Sequence, residues 1–219
     1  RDRHVFSALM LQHGHGDGLV TGATRKSAHV LSLLNHVFDA RASDGAVGVT
    51  ALLHKGRIVL IGDTLVHEWP EPEDLATIAT RAAGVARSLG MEPRVAFVSF
   101  STFGYPVSER ATKMHLAPAL LDGRKVDFEY EGEMTVDVAL NPEVMAHYPF
   151  CRLTGPANIL VVPARHSASI SVKLMQEMAG ATVIGPILTG VKKPIQICGT
   201  NSTVNDILNM AVMAACKVG

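Results

Sequence analysis

Aromatic residues are scarce in this 219-residue sequence, at 5%, and tryptophan occurs once. Cysteine occurs three times, at Cys151, Cys198 and Cys216, with no C-x-x-C pair. An odd, unclustered set argues against a disulfide framework and fits a reducing cytoplasm. Net charge is absent, with 20 basic and 20 acidic residues. That excludes the basic excess by which nucleic-acid binders hold phosphates. No apolar run reaches the length of a membrane span. The opening "RDRHVFSALMLQHGHGDG" has a basic end but a short apolar part and no small-residue cleavage site, so no signal peptide is read there. Nucleic acid and membrane are therefore not expected partners. The first residue is not Met, so the amino terminus reads as the cut edge of something longer.

What is present is apolar. Hydrophobic residues make up 47% and charged residues 18%, the balance of a globular chain with a large core. Helices are expected over 4–12, 23–38, 70–90, 108–121, 167–180 and 203–216. The 70–90 stretch is the clearest. Proline and acids open it, Leu75, Ile78, Ala82, Val85 and Leu89 form a stripe, and Gly90 closes it. Strands are expected at 17–22, on both sides of a Lys55-Gly56 turn within 45–63, and at 94–101, 125–134, 157–163, 182–188 and "KPIQIC". Strands alternating with helices predict an α/β fold with mainly parallel sheets flanked by helices. Ligands in such folds bind beyond the carboxyl ends of strands.

Three stretches are candidate sites. In "SFSTFG", a buried strand runs into Ser101, Thr102 and Gly104, which offer two hydroxyls and a close backbone approach to a phosphate or cofactor. The plainer reading is a turn with N-cap residues. In "GDGLVTGATR", a glycine-flanked strand leads to Thr24 and Arg25 at a helix start, an anion candidate whose plainer reading is ordinary turn chemistry. Its glycine spacing matches neither a dinucleotide fingerprint nor a P-loop. In "CGTNSTVNDI", Asp206 is either the acid of a Thr203 capping box or a general base facing a cleft, with Asn201, Ser202 and the helix start binding an anionic group. The ten histidines, "HGH" at 13–15 included, form no set with metal-ligand spacing, and there is no G-x-S-x-G elbow.

"RVAFVSFSTFG", "GPANILVVPARHSASISVKLMQ", "VIGPILTGVKKPIQI" and "STVNDILNMAVMAA", in this order, resemble the phosphate acetyl/butyryl transferases, and "DGLVTGATRKSAHVL" resembles their glycine motif. The ending "KPIQIC…NDILNMAVMAA" is most similar to the phosphotransacetylase-like domain at the carboxyl end of bacterial NADP-dependent malic enzymes. The resemblance implies two α/β subdomains with a cleft between them. The first, lacking its amino-terminal part, is expected at 1–75 and 188–219, and the inserted second at 76–187.

In the active transferases an aspartate deprotonates coenzyme A for attack on acetyl phosphate, and a Ser-Arg pair stabilises the reacting groups. The resemblance puts the aspartate on Asp206, the serine on Gly199, the arginine on Thr200, and a further arginine near Ser32, with Arg25 one face away. A silenced site that still binds acetyl-CoA is the implied function, in a regulatory domain. The malic and NADP-binding domains of the same full-length chain would be its partners, and NADP and a divalent metal would belong to them. The ligand contacts implied are Ser101, Thr102, Gly104, Thr189, Gly190, Lys193, Thr200, Asn201 and Asp206. Two other readings stand beside it. One is a live transferase using Asp206 with Arg25 or Lys193 as substitute cations. The other is an oligomerisation module, since family members dimerise.

Overall fold

The computed structural model describes residues 2–38 and 45–216. Helix α1 (Arg3–Gln12) starts at Asp2, whose carboxylate accepts from the amides of His4 and Val5 at 2.8 and 3.4 Å. Strand β1 (Leu19–Gly22) pairs in parallel with β8 (Ile195–Cys198), so the two ends of the chain make one two-stranded sheet. Helices α2 (Ser27–Phe38) and α8 (Val204–Ala215) accompany it. Leu11 of α1, Val30 and Leu34 of α2, and Ile195 and Ile197 of β8 share one apolar cluster. Gly22 is required here: its φ is +105°, and a Cβ would lie 2.2 Å from the Cys198 carbonyl oxygen.

The second sheet has six strands in the order β5-β4-β6-β3-β2-β7. Strands β2 (Val47–His54) and β3 (Arg57–Gly62) form an antiparallel hairpin. Lys55 and Gly56 both take positive φ, 47° and 75°, the backbone that a two-residue hairpin turn needs. Strands β4 (Arg94–Val98), β5 (Glu129–Met134) and β6 (Ile159–Val161) are parallel to one another where they pair, and β6 is parallel to β3. Strand β7 (Thr182–Thr189) closes the far edge, antiparallel to β2.

Alternation along the strands sends side chains to both faces. Val95, Phe97, Ile159 and Val161 meet α3 (Pro72–Ser88) and α4 (Glu109–Arg124), and the alanines of α3 allow it to lie close. Ala96, Val98 and Leu160 meet α5 (Val136–Leu140), α6 (Pro142–Met145) and α7 (Arg165–Ala179) on the other face. Pro118 lacks one helical hydrogen bond but does not end α4. Among the described residues, no helix is long and apolar enough to cross a membrane.

The fold class is the expected one: α/β, mostly parallel, with helices on the sheet faces. The expected subdomain boundary is crossed by a sheet. The β2–β3 hairpin, assigned to 1–75, is joined to the strands of 76–187 because the free edge of β3 pairs with β6, Leu60 opposite Ile159. By hydrogen bonding, 47–189 is one sheet, and β1 and β8 stand outside it. The 125–134 strand begins only at Glu129, because Lys125 turns the chain with φ of 52°.

Candidate functional site

The loop after β4 is built around a carboxylate that the sequence reading did not single out. Glu133 of β5 is fully buried. Its Oε1 accepts from the Ser101 hydroxyl at 2.8 Å and from the Gly104 amide at 2.9 Å, and its Oε2 lies 3.1 Å from His115 Nδ1. The Thr135 amide donates to Thr102 Oγ1 at 3.1 Å. The polar groups of Ser101, Thr102 and Gly104 are therefore committed to holding the loop onto β5. The available signal was an acid inside the strand-like "EYEGEM", next to a loop rich in hydroxyls.

The glycine-motif loop is exposed. Arg3 Nη2 donates to Thr24 Oγ1 at 3.0 Å. Asp2 is held below the usual carboxylate range, first by the His4 amide and in small part by the charge of Arg25. Arg3 and Arg25 thus gather beside the start of α2. Thr189, Gly190 and Lys193 lie together at the end of β7 and in the turn to β8, where Gly190 faces the Gly45 carbonyl so closely that a Cβ would be 2.1 Å from it. Thr189 is buried and its hydroxyl has no hydrogen-bond partner.

The stretch from Cys198 to Asp206 does form a cavity, of about 220 Å³. Gly199, Asn201 and Ser202 from the loop and Asp206 from α8 line one side, and Ser27 at the start of α2 and Gln176 of α7 line others. Asp206 is also a cap. Its Oδ2 accepts from the Thr203 amide at 2.7 Å and from the Thr203 hydroxyl at 2.9 Å. Both readings of Asp206 thus have a physical counterpart on one side chain. Cys198 lines the same cavity, and burial, with the nearby charge of Asp206, pushes its thiol up.

Of the nine expected contacts, Asn201 and Asp206 meet in this cavity. Thr200 is exposed and off its wall. Ser101, Thr102 and Gly104, and Thr189, Gly190 and Lys193, belong to two other parts of the molecule and do not line it. Ser27 and Gln176 join the cavity from distant elements, with no local pattern to announce them. Among the described residues, no arginine or lysine lines it. No group of three or more His, Cys, Asp or Glu among the described residues is placed to hold a metal. Chemically, the cavity offers one carboxylate that can accept a proton, several neutral hydrogen-bonding groups, and no fixed positive charge.

Comparison with known proteins accords with this fold. Residues 1–215 match the family described as phosphate acetyl/butaryl transferase. The NADP-dependent malic enzyme of Rhizobium meliloti (strain 1021) is 49% identical over 218 residues, which are 100% of this chain and 29% of that protein. The phosphate acetyltransferase of Thermoanaerobacterium thermosaccharolyticum is 31% identical over 98% of this chain and 68% of its own length. A phosphotransacetylase from Streptococcus pyogenes superimposes with a TM-score of 0.92 at 28% identity, covering 100% of this chain and 68% of that one. The chain spans less than a third of the length of the malic enzymes it matches.

Proposed function

The chain belongs to the phosphate acetyl/butaryl transferase family, and from that premise we propose that it is a regulatory, acetyl-CoA-binding domain of an NADP-dependent malic enzyme, without transferase chemistry of its own. Its partners on this reading are the malic and NADP-binding domains of the same polypeptide, and its home is the cytoplasm. The higher identity to malic enzymes than to free-standing transferases supports the first half, 49% against 31%.

The second half is carried by one observation: among the described residues, no Lys or Arg lines the cavity around Asp206. Acetyl phosphate brings a doubly charged leaving group. Removing one preorganised charge stabiliser from such a site costs about 3 kcal/mol or more in the transition state. Gly199 and Thr200 stand where the resemblance puts the serine and arginine, and threonine supplies no permanent charge. Binding is less sensitive, because acetyl-CoA spreads its contacts over a long molecule. Asp206, Asn201 and Ser202 suit the thioester end, and Arg25, two residues before Ser27 in the chain, with Arg3, which donates to Thr24, suits its phosphates.

Oligomerisation is favoured by a separate observation. Ile170, Leu174 and Met178 recur at helical spacing on α7 and are exposed, as are Val204, Leu208 and Val212 on α8. Such faces bury well against a second copy. Homo-oligomer formation accompanies ligand binding on this proposal.

The test is calorimetric titration with acetyl-CoA together with an assay of acetyl phosphate plus coenzyme A on the same sample. Saturable binding without turnover is expected. Turnover abolished in Asp206→Ala would establish the live transferase instead. Oligomerisation with no acyl-CoA binding would leave only the assembly role.

A further inference from the structure

A second cavity, of about 390 Å³, shares no wall residue with the first and lies toward the opposite end of α7. Its floor is Val98 and Val162, at and just beyond the carboxyl ends of the adjacent parallel strands β4 and β6. The chain leaves these two strands in opposite directions. From β4 it passes through α4 to β5 on one side, and from β6 it passes through α7 to β7 at the far edge on the other. The two helices also pack on opposite faces, α4 through Met114 and Leu121 and α7 through Ala168. Strands whose connections diverge in this way leave a crevice outside their carboxyl ends, and that crevice is where open α/β sheets hold ligands.

The walls suit a flat ring. Trp69, the single tryptophan of the chain, meets His166 edge-on at 4.6 Å between ring centroids. Trp69 and Phe100 both line the space and are 58% and 62% exposed although large and apolar. Ser99, Ser167 and Ser171 supply hydroxyls that can donate or accept, and among the described residues no Lys, Arg, Asp or Glu lines the space. The volume falls within the range of small-molecule sites, roughly 300–1,000 Å³.

We infer that this crevice is a second small-molecule site, taking an uncharged heteroaromatic ring of purine type. The ring faces pack against Trp69 and Phe100, and its edge nitrogens exchange hydrogen bonds with the serine hydroxyls. An aromatic wall accepts any base face, and hydroxyls read a purine edge without demanding charge. Two sources supply such a ring: a free nucleoside or nucleotide, and the adenine end of an acyl-CoA. In the second case the inference rests on the function proposed above.

Because Trp69 is the sole tryptophan, its emission reports occupancy directly. Adenosine titrated into the chain should change that emission saturably, with a Kd on the order of 0.1–1 mM, a fragment-sized affinity. Ser171→Phe fills the crevice from the exposed side of α7 and should weaken adenosine binding at least tenfold by calorimetry, with an unchanged melting temperature. A response that stays linear into the millimolar range, or an affinity unchanged in Ser171→Phe, overturns the inference. Displacement of adenosine by acetyl-CoA assigns the site to the cofactor's adenine. Adenosine binding undisturbed by acetyl-CoA assigns it to a separate nucleoside. Adenosine binding in a chain that does not bind acetyl-CoA at all sinks the regulatory reading and leaves this site standing.

Discussion

Thr203 and Asp206 cap helix α8 reciprocally. The Asp206 carboxylate accepts from the Thr203 amide at 2.7 Å, and the Thr203 hydroxyl accepts from the Asp206 amide at 3.2 Å. The same carboxylate is part of the cavity wall. A residue with both duties loses both when truncated, so a single Asp206 variant cannot assign it a role.

Thr203→Ala separates them. It removes the hydroxyl of the cap and keeps the carboxylate in the cavity. A loss of about 1 kcal/mol in urea denaturation is expected, the usual worth of an N-cap, with acetyl-CoA affinity within a few fold of the parent. Asp206→Ala should show a similar stability loss and at least a tenfold loss of affinity. Equal affinity losses in the two variants would reduce Asp206 to a cap.

Glu133 is the anchor of the 99–104 loop, and its removal should be costly. It is buried and takes donors from Ser101, Gly104 and His115. Glu133→Ala takes the carboxylate acceptor from the buried Ser101 hydroxyl, at about 1–3 kcal/mol, and frees the exposed Gly104 amide at little further cost. Glu133→Gln retains one carbonyl oxygen and should lose less. Limited proteolysis gives a local readout: cleavage between Ser99 and Tyr105 should speed up more in the alanine variant than the melting temperature alone accounts for. Unchanged cleavage would mean that the loop is held by other contacts.

The legibility of this chain in its sequence follows the range of the interactions. The β2–β3 hairpin was readable because Lys55-Gly56 sits between two apolar runs. That the outer edge of β3 pairs with β6 was not, since Leu60 and Ile159 carry no mark of each other. Helices α5 and α6, of 5 and 4 residues, are too short for a periodicity to show. The site divides the same way. Asp206 is announced by its local capping pattern with Thr203 and Asn201 by its place in the polar loop before α8, whereas Ser27 and Gln176 reach the cavity from α2 and α7 only after folding. Ser101 and Gly104 looked like ligand groups because their partner, Glu133, is far along the chain.

Acid should destabilise the fold partly through Asp122. Its carboxylate is held below the usual range by the Tyr130 hydroxyl and then by Arg152, whose Nη1 is 2.9 Å away. A depressed folded pKa means that the unfolded chain binds the proton more readily. The contribution is complete above about pH 4, the unfolded value, and is lost as pH falls through the lower folded value. The pair is half exposed, so the effect is small. Asp122→Asn should flatten the acid limb of denaturation midpoints measured from neutral pH downward. A parallel, merely shifted limb would place the acid sensitivity elsewhere.

Cys198 offers an independent reading of the cavity. It is 3% exposed, and burial together with the charge of Asp206 raises its thiol. Thiolate is the reactive form, so alkylation at mildly alkaline pH should be much slower at Cys198 than at exposed Cys216. Asp206→Asn removes the nearby negative charge and should accelerate Cys198 alone. Acetyl-CoA in the cavity should slow Cys198 further while leaving Cys216 unchanged, because only Cys198 is on the cavity wall. Peptide mapping of the alkylated chain resolves the two sites. Protection of both cysteines alike would indicate a global stabilisation, and protection of neither, with binding detected by calorimetry, would move acetyl-CoA to another part of the surface.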